Sequence, residues 1–400
     1  MPRFSVVVPT YNGADHIEEC LSSVLSQGFE DVEVIVADDM SADGTANVVR
    51  SLARRDTRIH LLARTQNGGT LRSRRDGVLA STGDYVLLLD QDDALVPGAL
   101  AAIDRALEEH DPDILHFGVR VVAESEGARA AAAGMEGFLT PTPRRLKGAE
   151  ILRCQFAQEG GFDWHVHHRA LRGELARRAW GAAEDTRLTL SDDLYASFML
   201  CSFAQSYVAL PDSAWYEYHL GRGETFGSRT TVDDVRSISE RDREGLSLVS
   251  SFARSGAVAR DDWDARVADV RDRLMEHVMN ELHDGLDVED QERAIDDVLA
   301  IWPADAVAGE LYRFVRDRAY ALFDGRAYPG TDDELHRLVR DAHHADALVC
   351  GEGSERYHAM KSAAERHLCD LETLAPERKA EGANEPRTIV RRLLGRLRRS

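Results

Sequence analysis

The chain has 400 residues, of which 43% are hydrophobic and 30% are charged, a composition that indicates a globular protein of two or three domains. The formal net charge of −21 at pH 7 argues against nucleic-acid binding as the function of the whole protein. The five cysteines form no C-x-x-C pair, so neither a zinc ribbon nor a redox dithiol is expected.

Short apolar runs alternate with helical patterns over the first 120 residues. The apolar runs predict strands that are buried on both faces, and the segments between them predict amphipathic helices. This alternation is typical of an α/β protein with a mostly parallel sheet and helices on both faces, in which ligands bind beyond the carboxyl ends of the strands. The predicted strands are 4–8, 32–37, 59–63, 85–89 and 114–122.

The rest of the chain is predicted to contain a loop, a mixed segment and a helical region. We expect a loop over 123–147, a helix over 194–204 and a strand over 207–210. From about 230 to 375 the pattern is helical, and two prolines in the polar stretch 376–386 indicate a linker. The predicted domains are an α/β domain (1–225), an α-helical domain of unknown role (226–375), and a linker with a basic tail (376–400).

Polar and acidic residues follow three of the predicted strands. The first strand ends in Thr10-Tyr11-Asn12, the second in Asp38-Asp39 and the fourth in Asp90-Gln91-Asp92-Asp93. Adjacent carboxylates repel each other, and a hard divalent cation relieves that repulsion. The pattern therefore predicts a Mg²⁺ or Mn²⁺ site at the fourth strand, where the cation would also neutralise a leaving diphosphate.

The segments 6–12, 36–45 and 89–93 resemble family 2 glycosyltransferases in order and spacing, over residues 4–220. The resemblance implies a GT-A fold, a nucleotide-diphosphate sugar donor (a UDP-sugar) and a divalent metal. It implies that Asp90 and Asp92 contact the metal, with Asp92 the stronger candidate and His219 a further one. The implied nucleotide-sugar-binding residues are Pro9, Thr10, Tyr11, Asn12, Asp38, Asp39, Gly69, Arg74, Asp90 and Gln91. For Arg74 the alternative is a pair with an acidic strand end.

Asp192 and Asp193 open a predicted helix and resemble the family's Glu-Asp element. The resemblance implies that Asp193 is the general base for the acceptor hydroxyl in an inverting displacement, with Asp192 as the alternative. Arg75 departs from the pattern, because the family usually has Asn after the arginine that corresponds to Arg74. His165, His167 and His168 allow an acceptor-side role; zinc is disfavoured because no Cys or carboxylate completes a familiar ligand set.

These inferences predict an inverting glycosyltransferase of bacterial cell-surface polysaccharide or glycolipid synthesis, acting on a saccharide or lipid-linked hydroxyl acceptor. The alternative is a non-catalytic nucleotide-sugar-binding or scaffold protein with a degenerate transferase domain. No signal-peptide pattern and no apolar stretch of about 18 residues is found, so we expect a cytoplasmic protein. The tail 387–400 combines six arginines with an apolar helical stripe, which predicts peripheral membrane contact or a disordered solubilising end.

Overall fold

The computed structural model describes residues 1–156, 164–188, 191–222, 230–324, 332–349 and 353–374. Over these ranges the chain forms nine strands and fourteen helices. It divides into two compact units, the first comprising Met1–Arg229 and Glu244–Arg273, the second Thr230–Arg243 and Leu274–Ser400. The predicted linker and basic tail, from 376 onward, lie outside the described residues.

Four parallel strands and three connecting helices form the first half of a single sheet. The strands are β1 (Phe4–Thr10), β2 (Val32–Asp38), β3 (Ile59–Ala63) and β4 (Tyr85–Leu88). The helices are α1 (Ile17–Leu25), α2 (Thr45–Ala53) and α3 (Thr70–Ala80). The spatial order β3-β2-β1-β4 places β1 and β2 in the interior of the sheet, which explains their continuous apolar sequences.

The second half of the sheet contains five more strands: β5 (Ala94–Leu95), β6 (Ile114–Ala123), β7 (Arg145–Lys147), β8 (Arg169–Arg172) and β9 (Ser206–Leu220). This half is mixed, because β8 runs antiparallel to both of its neighbours, β4 and β6, whereas β6 and β9 are parallel. The complete order is β3-β2-β1-β4-β8-β6-β9-β5, with β7 paired to β9. The helices among these strands are α4 (Ala99–His110), α5 (Glu126–Leu139), α6 (Ala149–Phe156), α7 (Gly173–Gly181) and α8 (Asp192–Phe203).

Helices cover both faces of the sheet, as expected. Successive side chains of a strand point to opposite faces, so Val6 and Val8 join Leu21 and Leu100 in one core. Val7 lies on the other face, where α3 approaches so closely that a Cβ at Gly77 would stand 2.4 Å from a methyl group of Val7. The predicted α/β class is therefore confirmed, with a mixed rather than mostly parallel sheet.

The prediction of a loop over 123–147 is wrong, because most of this segment forms α5 and β7. The side chain of Ser125 caps α5 by accepting a hydrogen bond from the backbone N–H of Ala128 at 3.1 Å. Four consecutive alanines follow in the middle of the helix, and alanine has the highest intrinsic helix propensity. The glycines of the segment had suggested a loop, but the cap and the alanines decide the structure.

Six helices follow β9, and all are consistent with the predicted helical region. Part of this region belongs to the first unit, where Phe198 of α8 contacts Phe252 and Trp263 with ring centroids 6.2 and 5.8 Å apart. The compact units thus differ from the expected boundary at 225. No helix among the described residues is long and apolar enough to cross a membrane. The helices are α9 (Val232–Arg254), α10 (Trp263–Gly285), α11 (Val288–Ile301), α12 (Ala304–Asp324), α13 (Asp332–Leu348) and α14 (Glu355–Leu374).

Candidate active site

The polar strand ends identified in the sequence meet at one edge of the sheet. Thr10 at the end of β1 pairs in register with Asp38 at the end of β2. The backbone N–H of Leu89, just after β4, donates to Val7 of β1 at 3.0 Å, so the acidic segment that starts at Asp90 leaves the sheet beside them. This is the edge where parallel α/β sheets bind ligands.

The adjacent carboxylates Asp38 and Asp39 have different surroundings. Asp39 accepts the backbone N–H groups of Gly68 and Gly69, each at 2.7 Å, and therefore holds the turn before α3. Asp38 accepts only a long bond of 3.3 Å from the N–H of Ser41. Its Oδ1 is buried and has no hydrogen-bond partner within the described part of the chain. A buried acceptor in this position is costly unless a ligand donates to it.

Gln91 connects the ends of β1 and β4. Its Oε1 accepts from the hydroxyl of Thr10 and from the N–H of Tyr11, and its Nε2 donates to the Tyr11 carbonyl at 3.1 Å. A Cβ at Gly13 would stand 2.2 Å from the Gln91 oxygen, so a side chain there would displace the Gln91 amide from these contacts. Pro9 is buried within β1. Thr10 and Gln91 therefore shape the site by holding two loops together.

Asn12 joins the first strand end to the second. Its N–H donates to Ser41 Oγ, and its side-chain oxygen accepts from the N–H of Ala42, both at 2.9 Å. Asn12 adopts a left-handed backbone with φ of 49°, which asparagine tolerates better than most residues. Tyr11, the residue before Asn12, and Met40, two residues after Asp38, are both about half exposed.

Arg74 is the buried cation of the site and binds three carboxylates. Its Nη2 donates to Asp90 at 2.9 Å, and its Nη1 donates to Asp192 at 2.7 Å and to Asp193. Burial alone would lower the pKa of Arg74, but the charges of the three carboxylates raise it well above its usual value. Arg74 thus connects Asp90, in the predicted metal-binding segment, to Asp192 and Asp193, the predicted catalytic pair. Its guanidinium is bound by carboxylates of the protein itself.

The catalytic pair lies at the start of α8. Burial raises the pKa of Asp192 to about 7, against the charge of Arg74 and with the help of the charge of Asp193. Asp193 is less buried than Asp192, with side-chain exposures of 15% and 5%. The assignment of Asp193 as the base, with Asp192 as the alternative, stays a prediction.

Asp92 and Asp93, in the acidic segment after β4, have different surroundings. Burial and the negative charge of Asp90 raise the pKa of Asp92, while the nearby imidazoles of His16 and His219 lower it. Asp93 is buried and accepts the hydroxyl of Tyr216 at 2.7 Å and the backbone N–H of His219 at 2.8 Å. Burial and the charges of Asp92 and Asp90 raise its pKa well above the ordinary value.

A divalent cation fits the residues at Asp90 and Asp92. Burial and the charge of Asp90 raise the pKa of Asp92, and a bound cation would offset both effects. His219 Nδ1 lies 2.7 Å from Glu124, whereas its Nε2 is buried without a hydrogen bond, 3.5 Å from Glu217. No group of three or more His, Cys, Asp or Glu side chains in the described ranges is arranged to hold a metal. A cation here would thus need oxygen ligands from the substrate.

Three site residues were not singled out from the sequence. Tyr216 and Asp93 tie β9 to the end of β4 through a hydrogen bond between positions 123 residues apart. Arg222 follows β9, binds Glu19 and Glu124 at 2.8 Å each, and lies 3.5 Å from the carbonyl of Asp92. It places a second cation beside the acidic segment, and no motif marked it.

The histidines expected near the acceptor are joined by His116. The three residues 165, 167 and 168 precede β8 and are not part of a strand. His168 Nε2 lies 2.6 Å from His116 Nε2, and His168 Nδ1 lies 3.2 Å from His167 Nδ1. These contacts form a buried imidazole chain. They are hydrogen-bond contacts, so each pair consists of one donor and one acceptor nitrogen.

The chain is similar to bacterial glycosyltransferases. EpsJ of Bacillus subtilis, an uncharacterised glycosyltransferase, is 28% identical over 226 residues, which cover 54% of this chain and 61% of EpsJ. A GalNAc(5)-diNAcBac-PP-undecaprenol beta-1,3-glucosyltransferase of Campylobacter jejuni is 34% identical over 128 residues, covering 32% of this chain and 40% of the relative. The chain thus spans between two fifths and about three fifths of the length of these two relatives.

Among solved structures, residues 1–349 of S. aureus TarS in complex with UDP-GlcNAc superpose with a TM-score of 0.55 at 19% identity, covering 92% of each chain. This likeness supports the fold. The model of the family "Glycosyl transferase family 2" matches residues 5–171, which include both acidic strand ends and Arg74. The match to this family model over residues 5–171 confirms the resemblance predicted from the strand-end motifs.

Proposed function

We propose that the protein transfers a sugar from a UDP-sugar to a hydroxyl acceptor, with inversion at the anomeric carbon. The single observation that carries the proposal is the Arg74 cluster. One buried guanidinium binds Asp90 of the donor side and Asp193 of the acceptor side. The cluster therefore links a candidate donor-side acid and a candidate base through one guanidinium.

The donor side would hold the nucleotide and its diphosphate. The orphaned Oδ1 of Asp38 would accept a hydrogen bond from the nucleoside, and the half-exposed side chains of Tyr11 and Met40 nearby in sequence would be available to pack against it. Asp92, with Asp90 and the Nε2 of His219 beside it, would hold Mg²⁺ or Mn²⁺ together with diphosphate oxygens. The bound cation would act as a Lewis acid that neutralises the leaving diphosphate.

The acceptor side would supply the base. In the proposed step the acceptor hydroxyl oxygen attacks the anomeric carbon, the bond to the diphosphate breaks, and Asp193 takes the hydroxyl proton. Arg74 holds Asp193 in place and, through Asp90, fixes its position relative to the donor side. Asp192 is buried, also binds Arg74, and would hold that guanidinium in position.

The names of the relatives support the choice of donor and pathway. The S. aureus neighbour contains UDP-GlcNAc, and the C. jejuni relative is named as a glucosyltransferase that acts on an undecaprenol-linked substrate. A UDP-sugar donor and an acceptor from cell-surface polysaccharide or glycolipid synthesis are the corresponding proposals for this chain. A cytoplasmic location and peripheral membrane contact stay predictions.

The test is release of UDP from a panel of UDP-sugars, with Mn²⁺ or with EDTA. We expect metal-dependent release by the wild type and loss of at least about 100-fold in Asp92→Ala, the scale seen when one electrostatic contact to a transition state is removed. Asp212→Ala is the matched control, because Asp212 is an exposed carboxylate on the same unit, away from the strand ends. A wild type that neither releases UDP nor binds any UDP-sugar would favour the scaffold alternative.

A further inference from the structure

Glu124 and His219 are held together at the ends of β6 and β9. The backbone N–H of Glu124 donates to the carbonyl of Leu220 at 3.1 Å, which extends the pairing of the two strands. His219 Nδ1 lies 2.7 Å from Oε1 of Glu124. The backbone N–H of His219 donates to Asp93, the residue after Asp92, at 2.8 Å. His219 is therefore fixed both to Glu124 and to the acidic segment.

The Glu124 carboxylate is held from a second side by Arg222. Nε of Arg222 lies 2.8 Å from the same oxygen that contacts His219. Arg222 Nη1 also binds Glu19 at 2.8 Å and lies 3.5 Å from the carbonyl of Asp92. A carboxylate beside a guanidinium stays ionised, and an ionised carboxylate only accepts hydrogen bonds. Glu124 is therefore a fixed acceptor for the imidazole.

This acceptor determines which nitrogen of His219 carries a hydrogen. Since Glu124 cannot donate, Nδ1 of His219 must donate to it, and in a neutral imidazole the other nitrogen then carries only a lone pair. The hydrogen therefore lies on Nδ1 and the lone pair on Nε2. A carboxylate in this position is a common partner of metal-binding histidines, where it fixes the ring and makes the free nitrogen more basic.

The Nε2 atom of His219 is buried and forms no hydrogen bond with any described residue. The histidine side chain is only 4% exposed, so bulk solvent does not supply the missing partner. Glu217 Oε1 lies 3.5 Å from Nε2 without a hydrogen bond between them, and the Glu217 carboxylate is already paired with Arg120. A buried polar atom without a partner is costly, so the lone pair of Nε2 indicates a place for a ligand.

The position of the hydrogen distinguishes between the two ligands that the proposed function places beside Asp92. A phosphate oxygen is an acceptor and would need a hydrogen on Nε2. A divalent cation needs a lone pair, and the neutral imidazole is the commonest metal ligand among protein side chains. The arrangement of Glu124 and His219 therefore favours the cation over the diphosphate as the partner of Nε2.

We propose that Glu124 is a positioning residue of the cation site, which keeps the hydrogen of His219 on Nδ1 and so makes Nε2 a ligand of the cation at Asp92. Arg222 supports this role by holding the Glu124 carboxylate in place. Glu124 itself touches neither the substrate nor the cation and acts only through His219. The inference rests on the proposed function for the presence of the cation and the diphosphate beside Asp92.

The test is Mn²⁺ binding in the presence of UDP, measured by electron paramagnetic resonance of the free ion. We expect Glu124→Gln to bind Mn²⁺ about 10–100-fold more weakly than the wild type, the range found when the carboxylate partner of a metal-binding histidine is lost. Glu19→Gln is the matched control, because it removes the same charge from Arg222 and leaves the pair of Glu124 and His219 intact. Glu19 is 54% exposed, so its loss should change the affinity by about twofold at most.

A double-mutant cycle separates the proposed role from a simple effect of charge. In the His219→Ala background, Glu124→Gln should cause no further loss of Mn²⁺ affinity, because the residue through which Glu124 acts is absent. The same loss with and without His219 would overturn the inference. So would wild-type affinity in Glu124→Gln, or a wild type that binds no Mn²⁺ with UDP present.

A second measurement requires neither ligands nor turnover. Long-range proton–nitrogen correlation spectra of the metal-free protein report which imidazole nitrogen carries a hydrogen, and comparison with His219→Ala identifies the signals of His219. We expect the hydrogen on Nδ1 in the wild type and a smaller population of this form in Glu124→Gln. A hydrogen on Nε2 in the wild type would overturn the inference. Failure of the proposed function appears separately, as absence of UDP release by a wild type whose spectra and Mn²⁺ binding are as expected.

Discussion

Replacing Arg74 by methionine removes the only positive charge that touches Asp90, Asp192 and Asp193 within the described residues, while it keeps most of the side-chain volume. Arg74 and Asp192 are each 5% exposed in their side chains, so solvent cannot replace the lost charge. Breaking a buried ion pair on one side costs about 3–5 kcal/mol of the free energy of unfolding. For a unit of this size, that loss lowers the melting temperature by roughly 10 °C.

The loss of unfolding free energy in Arg74→Met should depend on pH, and its direction follows from the pKa of Asp192. The pKa of Asp192 is already raised to about 7 in the folded protein, against about 3.9 in an unfolded chain. Between these values the folded state binds a proton that the unfolded state does not, so stability falls as the pH rises. Removing Arg74 raises the folded pKa further and steepens that fall. The difference in stability between Arg74→Met and the wild type should therefore be larger at pH 7 than at pH 5.

The assay is thermal unfolding at pH 7 and pH 5, with Arg72→Met as the matched control. Arg72 lies on the same helix and binds Asp185, whose side chain is 68% exposed, and surface pairs of this kind contribute about 0–1 kcal/mol. We expect a large decrease in melting temperature for Arg74→Met and almost none for Arg72→Met. Equal melting temperatures of the two variants at pH 7, or a deficit for Arg74→Met that grows on acidification, would refute this reasoning.

Two further substitutions test the supports of the site. Gly69→Ala should lose about 1–3 kcal/mol of stability, because Gly69 has φ of 82° and ψ of 171°, a backbone region open almost only to glycine. The control is Gly134→Ala, in the middle of α5 with open space around it. It should be neutral or stabilising in the same melting experiment. Tyr216→Phe removes a donor from Asp93 and should cost about 1–3 kcal/mol. The Tyr216 hydroxyl lowers the pKa of Asp93, which burial raises well above its ordinary value, so removal of the hydroxyl raises that pKa further. The cost should therefore grow as the pH rises through the folded-state pKa of Asp93, and a cost that is independent of pH would contradict the assignment.

The parallel half of the fold could be predicted from the sequence because burial on both faces leaves a simple signal. The strands β1, β2 and β3 are apolar runs of the expected length, and each predicted position was right to within about two residues. The helix α5 was missed because its glycines obscured the cap at Ser125 and the alanine run. The direction of β8 was not predictable, since strand direction depends on pairing partners that are distant in sequence.

The candidate site was only partly visible in the sequence for a similar reason. The acidic strand ends were evident, because carboxylates after buried strands are unusual. The different environments of Asp38 and Asp39 were not, because they depend on the turn at Gly68, about 30 residues away. Likewise, the pairing of Arg74 with Asp192 and Asp193 joins positions more than 100 residues apart, and one sequence holds no record of such contacts.

Binding of UDP to the sheet edge tests the central claim most directly, because it requires neither an acceptor nor turnover. Isothermal titration of UDP in the presence of Mg²⁺ should give saturable binding to the wild type and to Asp212→Asn. Asp38→Asn should bind about tenfold or more weakly, since one hydrogen bond to a charged acceptor is worth about 1.5–3 kcal/mol. No binding of UDP to the wild type, or equal binding to Asp38→Asn, would contradict a nucleotide site at this edge.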